Sequence, residues 1–323
     1  MSYQKKLSIR QNVLIFSLVL LLLVGCSSAQ NMTPPGKTEY PVFEGGTSKL
    51  AFAAQKTARD QYEVFVYDFD HKNLSQLTTN GFADTSPSWS PDGQKLVYSS
   101  NVNGIYQLFT LKSDGSEQTQ LVVSHTDDTQ PVWEPGSTGG TQIAYQSKGN
   151  GDFDIYIYNI ISKTSKAITG TDSQETQAAW SPDSQQIAFV SNQDGDFEIY
   201  VMGADGSHPL QLTKNQAYDS SPAWSPDGKQ IAFISRRSPD QHFQLYVMNA
   251  DGSQETQLTR SDFTISSPAW SPDGKTLAFI SESSQGSQIM ALDLTTKQLY
   301  KITGGFYDYA GLSWMKPLEN PAS

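Results

Sequence analysis

The chain has 323 residues, with 22 Lys and Arg against 33 Asp and Glu, a net charge of −11 and a single cysteine. An acidic balance speaks against nucleic acid as a partner, because phosphate backbones are held by clustered positive charge. One thiol rules out an internal disulfide and a cysteine-built metal centre.

Lys5, Lys6 and Arg10 open the chain with positive charge, and residues 13–24 form an apolar run of 12 interrupted only by Ser17. A membrane-spanning helix needs about 20 such residues, so the run predicts an export leader. It ends in Leu23-Val24-Gly25-Cys26, followed by Ser27-Ser28. This segment resembles a bacterial lipobox. The resemblance implies cleavage after Gly25, lipid attached to Cys26 and a lasting membrane anchor, facing the outer membrane if the envelope has two. An ordinary leader with a chance cysteine, or an uncleaved anchor, are the alternatives. All three basic residues of the leader leave with it, so 19 Lys and Arg face 33 Asp and Glu and the mature net charge is −14. Residues 26–46 then read as a polar, Pro-containing tether.

Residues 49–78 carry three strand-like stretches, KLAFAA, EVFVYDF and LSQLTT. From there a repeat takes over. All six tryptophans, Trp89, Trp133, Trp180, Trp224, Trp270 and Trp314, share one register, spaced by 44, 47, 44, 46 and 44 residues. The nine residues SPAWSPDGK occur at 221–229 and again at 267–275. In the unit from Ser221, Pro222-Ala223-Trp224 is extended and Ser225-Pro226-Asp227-Gly228 is a type I turn signature. Residues 231–234 (IAFI) and 244–248 (QLYVM) are apolar strands, Ala250-Asp251-Gly252-Ser253 is a hairpin tip, and Gln257-Leu258-Thr259 closes the unit. Four short strands per unit make one propeller blade. The unit at Trp133 departs, with WEPGSTGGTQIAY predicting a longer loop. YAGLSWMKP at the C-terminal end is a tryptophan strand with no unit after it, and it supplies the strand missing from residues 49–78. The expectation is an all-β, six-bladed propeller over residues 47–318, closed by one C-terminal strand against three N-terminal ones, with a tail at 319–323. Closure removes the open sheet edge.

In order, Trp-Ser-Pro-Asp-Gly, Ile-Ala-Phe, Leu-Tyr-Val-Met, Ala-Asp-Gly-Ser and Leu-Thr resemble the repeats of the TolB β-propeller family. The resemblance covers about 270 residues and implies the propeller fold and a bacterial envelope setting. TolB itself is soluble and carries an α/β domain before its propeller. The short stretch ahead of residue 47 and the lipobox set this sequence apart, so TolB's own role in the Tol system is not implied.

The tryptophans are expected to pack between blades, and the turn aspartates Asp92, Asp227, Asp251 and Asp273 to bond nearby backbone. More informative are the acids five residues before each tryptophan: Asp84, Asp128, Glu175 and Asp219, with Ile265 in the fifth unit and Asp308 one step earlier in the sixth. If these strands line the channel, the acids circle one mouth. Tyr218, Phe263 and Tyr307 stand close by, as do Phe82 and Phe306. Solvated strand caps, a seat for a cationic peptide or protein, and a metal site are the three readings. Like charges about 10 Å apart in water repel by only about 0.4 kcal/mol, so such a circle can persist without a bound cation.

His71, His125, His208 and His242 fall at different repeat positions and make no metal-ligand spacing. No G-x-S-x-G elbow occurs, and GNGDFDIY and NQDGDFEIY lack the calcium-loop pattern. The sequence therefore predicts a lipid-anchored envelope binding or scaffold module without a cofactor, monomeric, taking a protein or peptide at an acidic mouth. An envelope enzyme using channel-mouth carboxylates on carbohydrate or another small substrate is the alternative, and a fold whose sites are lost is a third.

Overall fold

The computed structural model describes residues 40–43, 48–136, 140–149, 151–237, 242–283 and 286–316. The leader, Cys26, residues 26–39 and 44–47, the tip of the insertion after Trp133 and the tail lie outside the described residues. Those described form six antiparallel sheets of four strands and no helix. Five sheets take their strands in chain order, beginning at Asp84–Trp89, Asp128–Trp133, Glu175–Trp180, Asp219–Trp224 and Thr264–Trp270; these are blades 1 to 5. Blade 6 places Asp308–Trp314 beside Lys49–Gln55, which pairs on to Glu63–Asp68 and Asn73–Gln76. The closure expected from the two ends of the repeat is therefore present.

The second and third strands of a blade read as continuous apolar runs because neighbouring blades cover both their faces. Ile231, Ala232, Phe233 and Ile234 are all buried, as are Leu277, Ala278, Phe279 and Ile280. The core is six inter-blade layers, each with one tryptophan. Trp180 packs with Ala144, Ile155 and Ile157 of blade 2 and Ile187 and Phe189 of blade 3. Trp270 likewise joins Phe243 and Leu245 of blade 4 to Phe279 and Met290 of blade 5. The indole N–H groups extend the junction. Trp180 donates to Val132 O at 3.2 Å, Trp270 to Ala223 O at 3.0 Å and Trp314 to Ala269 O at 3.2 Å, each in the preceding blade. Trp133 instead donates to Gly140 O of its own insertion, at 2.9 Å.

The Ser-Pro-Asp-Gly turn works as its residue types require. Ser225 Oγ donates to Asp227 Oδ1 at 2.7 Å, and that oxygen also accepts the Lys229 N–H at 3.1 Å. Asp92, Asp183 and Asp273 repeat the arrangement. In blade 2, where the turn is missing, Glu134 Oε2 accepts the Thr141 and Gln142 N–H groups, both at 3.1 Å.

Two features lie beyond the sequence reading. First, every inner strand is bulged three residues before its tryptophan, at Ser86, Gln130, Gln177, Ser221, Ser267 and Gly311, with φ of 53°, 50°, 56°, 53°, 51° and 60°. The pairing register shifts there in all six blades. A proline follows in four of them, Pro87, Pro131, Pro222 and Pro268, where a bulge leaves room for a residue without an N–H. Second, residues 40–43 dock on blade 5. Lys301 N donates to Pro41 O and Phe43 N to Lys301 O, both at 3.0 Å, and Phe43 packs edge-on to Phe69 and Tyr300. Part of the expected tether is thus bound to the propeller.

Candidate functional site

The six first strands contact one another around the axis and so line the channel. They run in phase: Trp133 N donates to Ser88 Oγ of the preceding blade at 3.1 Å, and Ser221 N to Gln177 Oε1 at 2.7 Å. Each of these strands ends in tryptophan, so their starts share the opposite mouth, and those starts carry the acids.

The structure places the acids in two ways. Asp84, Asp128, Glu175 and Asp219 are no more than 1% exposed. Asp84 accepts Ser100 Oγ from the second strand of its own blade and Asn80 Nδ2 at 2.7 Å. Glu175 Oε1 accepts three hydroxyls, from Thr171 at 2.8 Å, Ser173 at 2.7 Å and Ser191 at 3.0 Å. Asp219 Oδ2 accepts Asn215 Nδ2 at 2.8 Å and Arg237 Nη2 at 2.6 Å. Burial pushes the Asp84 and Asp128 carboxyls above the ordinary range, against the pull of their hydroxyl partners. These four side chains bind the starts of the inner strands to their loops.

Asp308 is only half-buried. Its Oδ2 accepts Tyr62 OH at 2.5 Å and its Oδ1 accepts Ser287 Oγ at 3.0 Å. Glu282 of blade 5 lies close enough to Asp308 for the two charges to interact, and burial above all raises its carboxyl. Tyr62 is raised by burial first, then by Asp308, Glu282 and Tyr106. Tyr62 and Asp308 of blade 6 thus form a hydrogen-bonded phenol–carboxylate pair that Ser287 ties to blade 5. Sequence reasoning missed Glu282 and Tyr62. A signal existed for the first: Ile265 replaces the repeated acid in blade 5, and Glu282 pairs with the adjacent Thr264.

The expected aromatics also divide. Tyr307 is 57% exposed and Phe82 38%. Phe263 is buried, Tyr218 packs between Phe197 and Phe243, and Phe306 packs on Phe65. Among the described residues no three His, Cys, Asp or Glu side chains converge to hold a metal ion.

A closed ring of six four-stranded blades with this inner-strand pattern defines a six-bladed β-propeller. The model of the TolB β-propeller domain matches residues 19–138 and 114–314, well over half the chain, and the chain belongs to that family. Among curated proteins, the Tol-Pal system protein TolB of Haemophilus influenzae (strain PittEE) is 40% identical over 62 residues. That match spans 19% of this chain and 14% of the relative's length. Among solved structures, TolB from Acinetobacter baumannii superposes with a TM-score of 0.73 at 17% identity, covering 84% of this chain and 67% of that one. A putative TolB from Agrobacterium tumefaciens gives 0.64 at 21% identity, covering 80% and 90%. At these identities the likeness concerns the fold.

Proposed function

We propose that this protein is a lipid-anchored scaffold of the bacterial cell envelope that recognises a protein or peptide at the acidic mouth of its propeller. The observation that carries this reading is the half-buried Asp308 bonded by Tyr62, with Tyr307 and Phe82 exposed at the strand starts of the same mouth. Carboxylates and phenols around an aromatic rim suit a cationic, partly apolar segment, and the net charge of the chain favours the same sign of partner. Membership of the TolB propeller family adds the envelope setting, since the named relative is a component of the Tol-Pal system. Cys26 supplies the anchor and the polar tether the reach. The four buried acids support the mouth from behind, and Asp308, Tyr307 and Phe82 make the contact.

Crosslinking and affinity capture from membranes, comparing the wild type with a Tyr307→Ser, Asp308→Asn double variant, test the binding site. A specific protein lost in the variant at an unchanged thermal midpoint supports the reading. Equal recovery from both refutes the mouth as the contact, and a glycan in place of a protein refutes the scaffold. Incorporation of labelled fatty acid, abolished by Cys26→Ser, tests the anchor; a wild type that takes up no label disproves it.

A further inference from the structure

Each blade has a row of three facing positions at its acid end. In blades 1 to 4 the first-strand acid pairs with a second-strand serine, and that serine pairs with a third-strand residue; blade 5 has Ile265 in the first place, and blade 6 has Tyr309 and Ala54 in the first two. Blade 3 shows it as Glu175, Ser191 and Glu198, and blade 4 as Asp219, Ser235 and Gln244. The third position is Gln107, Gln244 and Gln288 in blades 1, 4 and 5, and a carboxylate in the other three, Asp154, Glu198 and Glu63 in blades 2, 3 and 6. Gln244 shows what the site asks for. Its Oε1 accepts the Ser261 N–H at 3.0 Å, while its Nε2 donates to Ser261 O at 3.0 Å and Phe263 O at 3.3 Å. In blade 4 the side chain thus acts as acceptor and donor at once.

Glu198 sits in the same cradle with no donor of its own when ionised. Its Oε1 accepts the Asn215 N–H at 2.6 Å, and its Oε2 accepts Thr213 Oγ1 and, at 3.3 Å, Asn215 Nδ2. The same Asn215 nitrogen bonds Asp219 Oδ2 at 2.8 Å, so the two carboxylates are neighbours across the junction of blades 3 and 4. Glu198 is 1% exposed and Asp219 0%. Arg237 ion-pairs with Asp219 and Glu255 and stacks over Phe233 and Tyr246. Among the described residues no basic side chain bonds Glu198, and Asp219 Oδ1 is buried without a donor. Tyr200 of blade 3 faces Glu198 and Tyr246 of blade 4 faces Asp219, with Asp194 beside Tyr200, Arg260 beside Tyr246 and Glu255 on the far side of Arg237.

We propose that Glu198 carries a proton where it meets Asp219 across Asn215, and that loss of this proton sets two like charges on the two sides of Asn215 and so loosens residues 215–218 at the channel mouth. Arg237 is shared between Asp219 and Glu255, so two buried carboxylates without a cation on Glu198 leave a charge that burial disfavours. A proton on Glu198 removes that charge and supplies the missing donor. Burial above all pushes the Glu198 carboxyl up to about 7, with Asp219 adding to the rise against the pull of Thr213 and Asn215. This lies above the unfolded value, so the proton is bound below neutrality and released as pH rises through that point. The segment it secures hangs on these groups. Asn215 is held by Glu198, and Asn215 Oδ1 accepts the Ala217 N–H at 2.7 Å. Residues 215–218 end in Tyr218, next to Asp219, so pH is coupled to the shape of the mouth. That consequence rests on the binding reading, whereas the proton on Glu198 does not.

The test uses no partner. Carboxyl carbon NMR of the propeller with labelled Glu and Asp is followed from about pH 5 to about pH 9, together with amide hydrogen exchange of 215–218 corrected for base catalysis. A resonance titrating near neutrality, absent in Glu198→Gln, with exchange several-fold faster above the midpoint in the wild type alone, is the expected result. Glutamine at three sister positions shows that the substituted side chain fits. Asp219→Asn, a second variant, is expected to return the Glu198 midpoint towards the ordinary carboxylate range. A wild-type Glu198 titrating in that ordinary range, an unmoved midpoint in Asp219→Asn, or the same exchange in wild type and Glu198→Gln overturns the proposal.

Discussion

Among single residues, the tryptophans make one part of the architecture measurable. Trp270 and Trp224 occupy the same register position, but only the Trp270 indole reaches an acceptor, Ala223 O of the preceding blade. The Trp224 indole N–H is buried without one. Truncation to alanine is expected to cost about 3–5 kcal/mol at either site. Phenylalanine separates them: Trp270→Phe loses the cross-blade bond, worth about 1 kcal/mol, while Trp224→Phe removes an unsatisfied donor and is near neutral. Urea midpoints of the two variants check this, and equal losses would show that the indole bond holds no blade to its neighbour. The tryptophan register was fully legible in the sequence, because an aromatic at fixed spacing is a one-dimensional pattern. Which indoles find acceptors was not, since the acceptor belongs to the blade before.

At the level of elements, the inner strand is the part that the residues did not announce. Pro222-Ala223-Trp224 reads as extended chain, yet Ser221 before it lies in the left-handed region. Four of the five expected mouth acids are covered, held by side chains of their own blades and loops such as Ser100, Ser191 and Asn215. Gly311 marks the seam between blades 6 and 1. Five sister positions carry side chains at similar φ, so the angle alone does not demand glycine there. A Cβ at Gly311 would lie 2.9 Å from Ser86 Cα, a backbone atom with no freedom to move aside. Gly311→Ala is therefore expected to lower the unfolding midpoint by an equivalent of about 1–3 kcal/mol, and Ser267→Ala, at the same bulge in blade 5, by much less. Comparable shifts in the two variants would remove the seam from the account.

For the whole molecule, the acids set the pH profile. Glu63, Asp84, Asp128, Glu198 and Glu282 are all raised, principally by burial. A raised carboxyl binds more protons folded than unfolded, so each costs stability at neutral pH and the cost disappears as pH falls through its folded value towards the unfolded one. The turn acids Asp183, Asp205, Asp227 and Asp251 are lowered, chiefly by serine hydroxyl bonds. Their contribution is present above the unfolded value near 4 and is lost below it. Stability is expected to be greatest near about pH 5 and to decline towards pH 8. Thermal midpoints across that range test the balance, and a midpoint that rises steadily to pH 8 would contradict it.

The sequence by itself determined the number of blades, the turns, the closure of the ring by its two ends and the residues of the inter-blade core. All of these follow from local periods of apolar and turn-forming residues that repeat every 44–47 positions. It also picked out the row of acids at the starts of the inner strands. Only the tertiary structure decided which of them face the mouth, because that depends on partners far away in the chain. Tyr62 and Asp308 meet across 246 residues, and Glu198 meets Asp219 only because blades 3 and 4 pack together. The repeat fixes where a side chain stands in its own blade, but its charge state and exposure are set by the neighbouring blade.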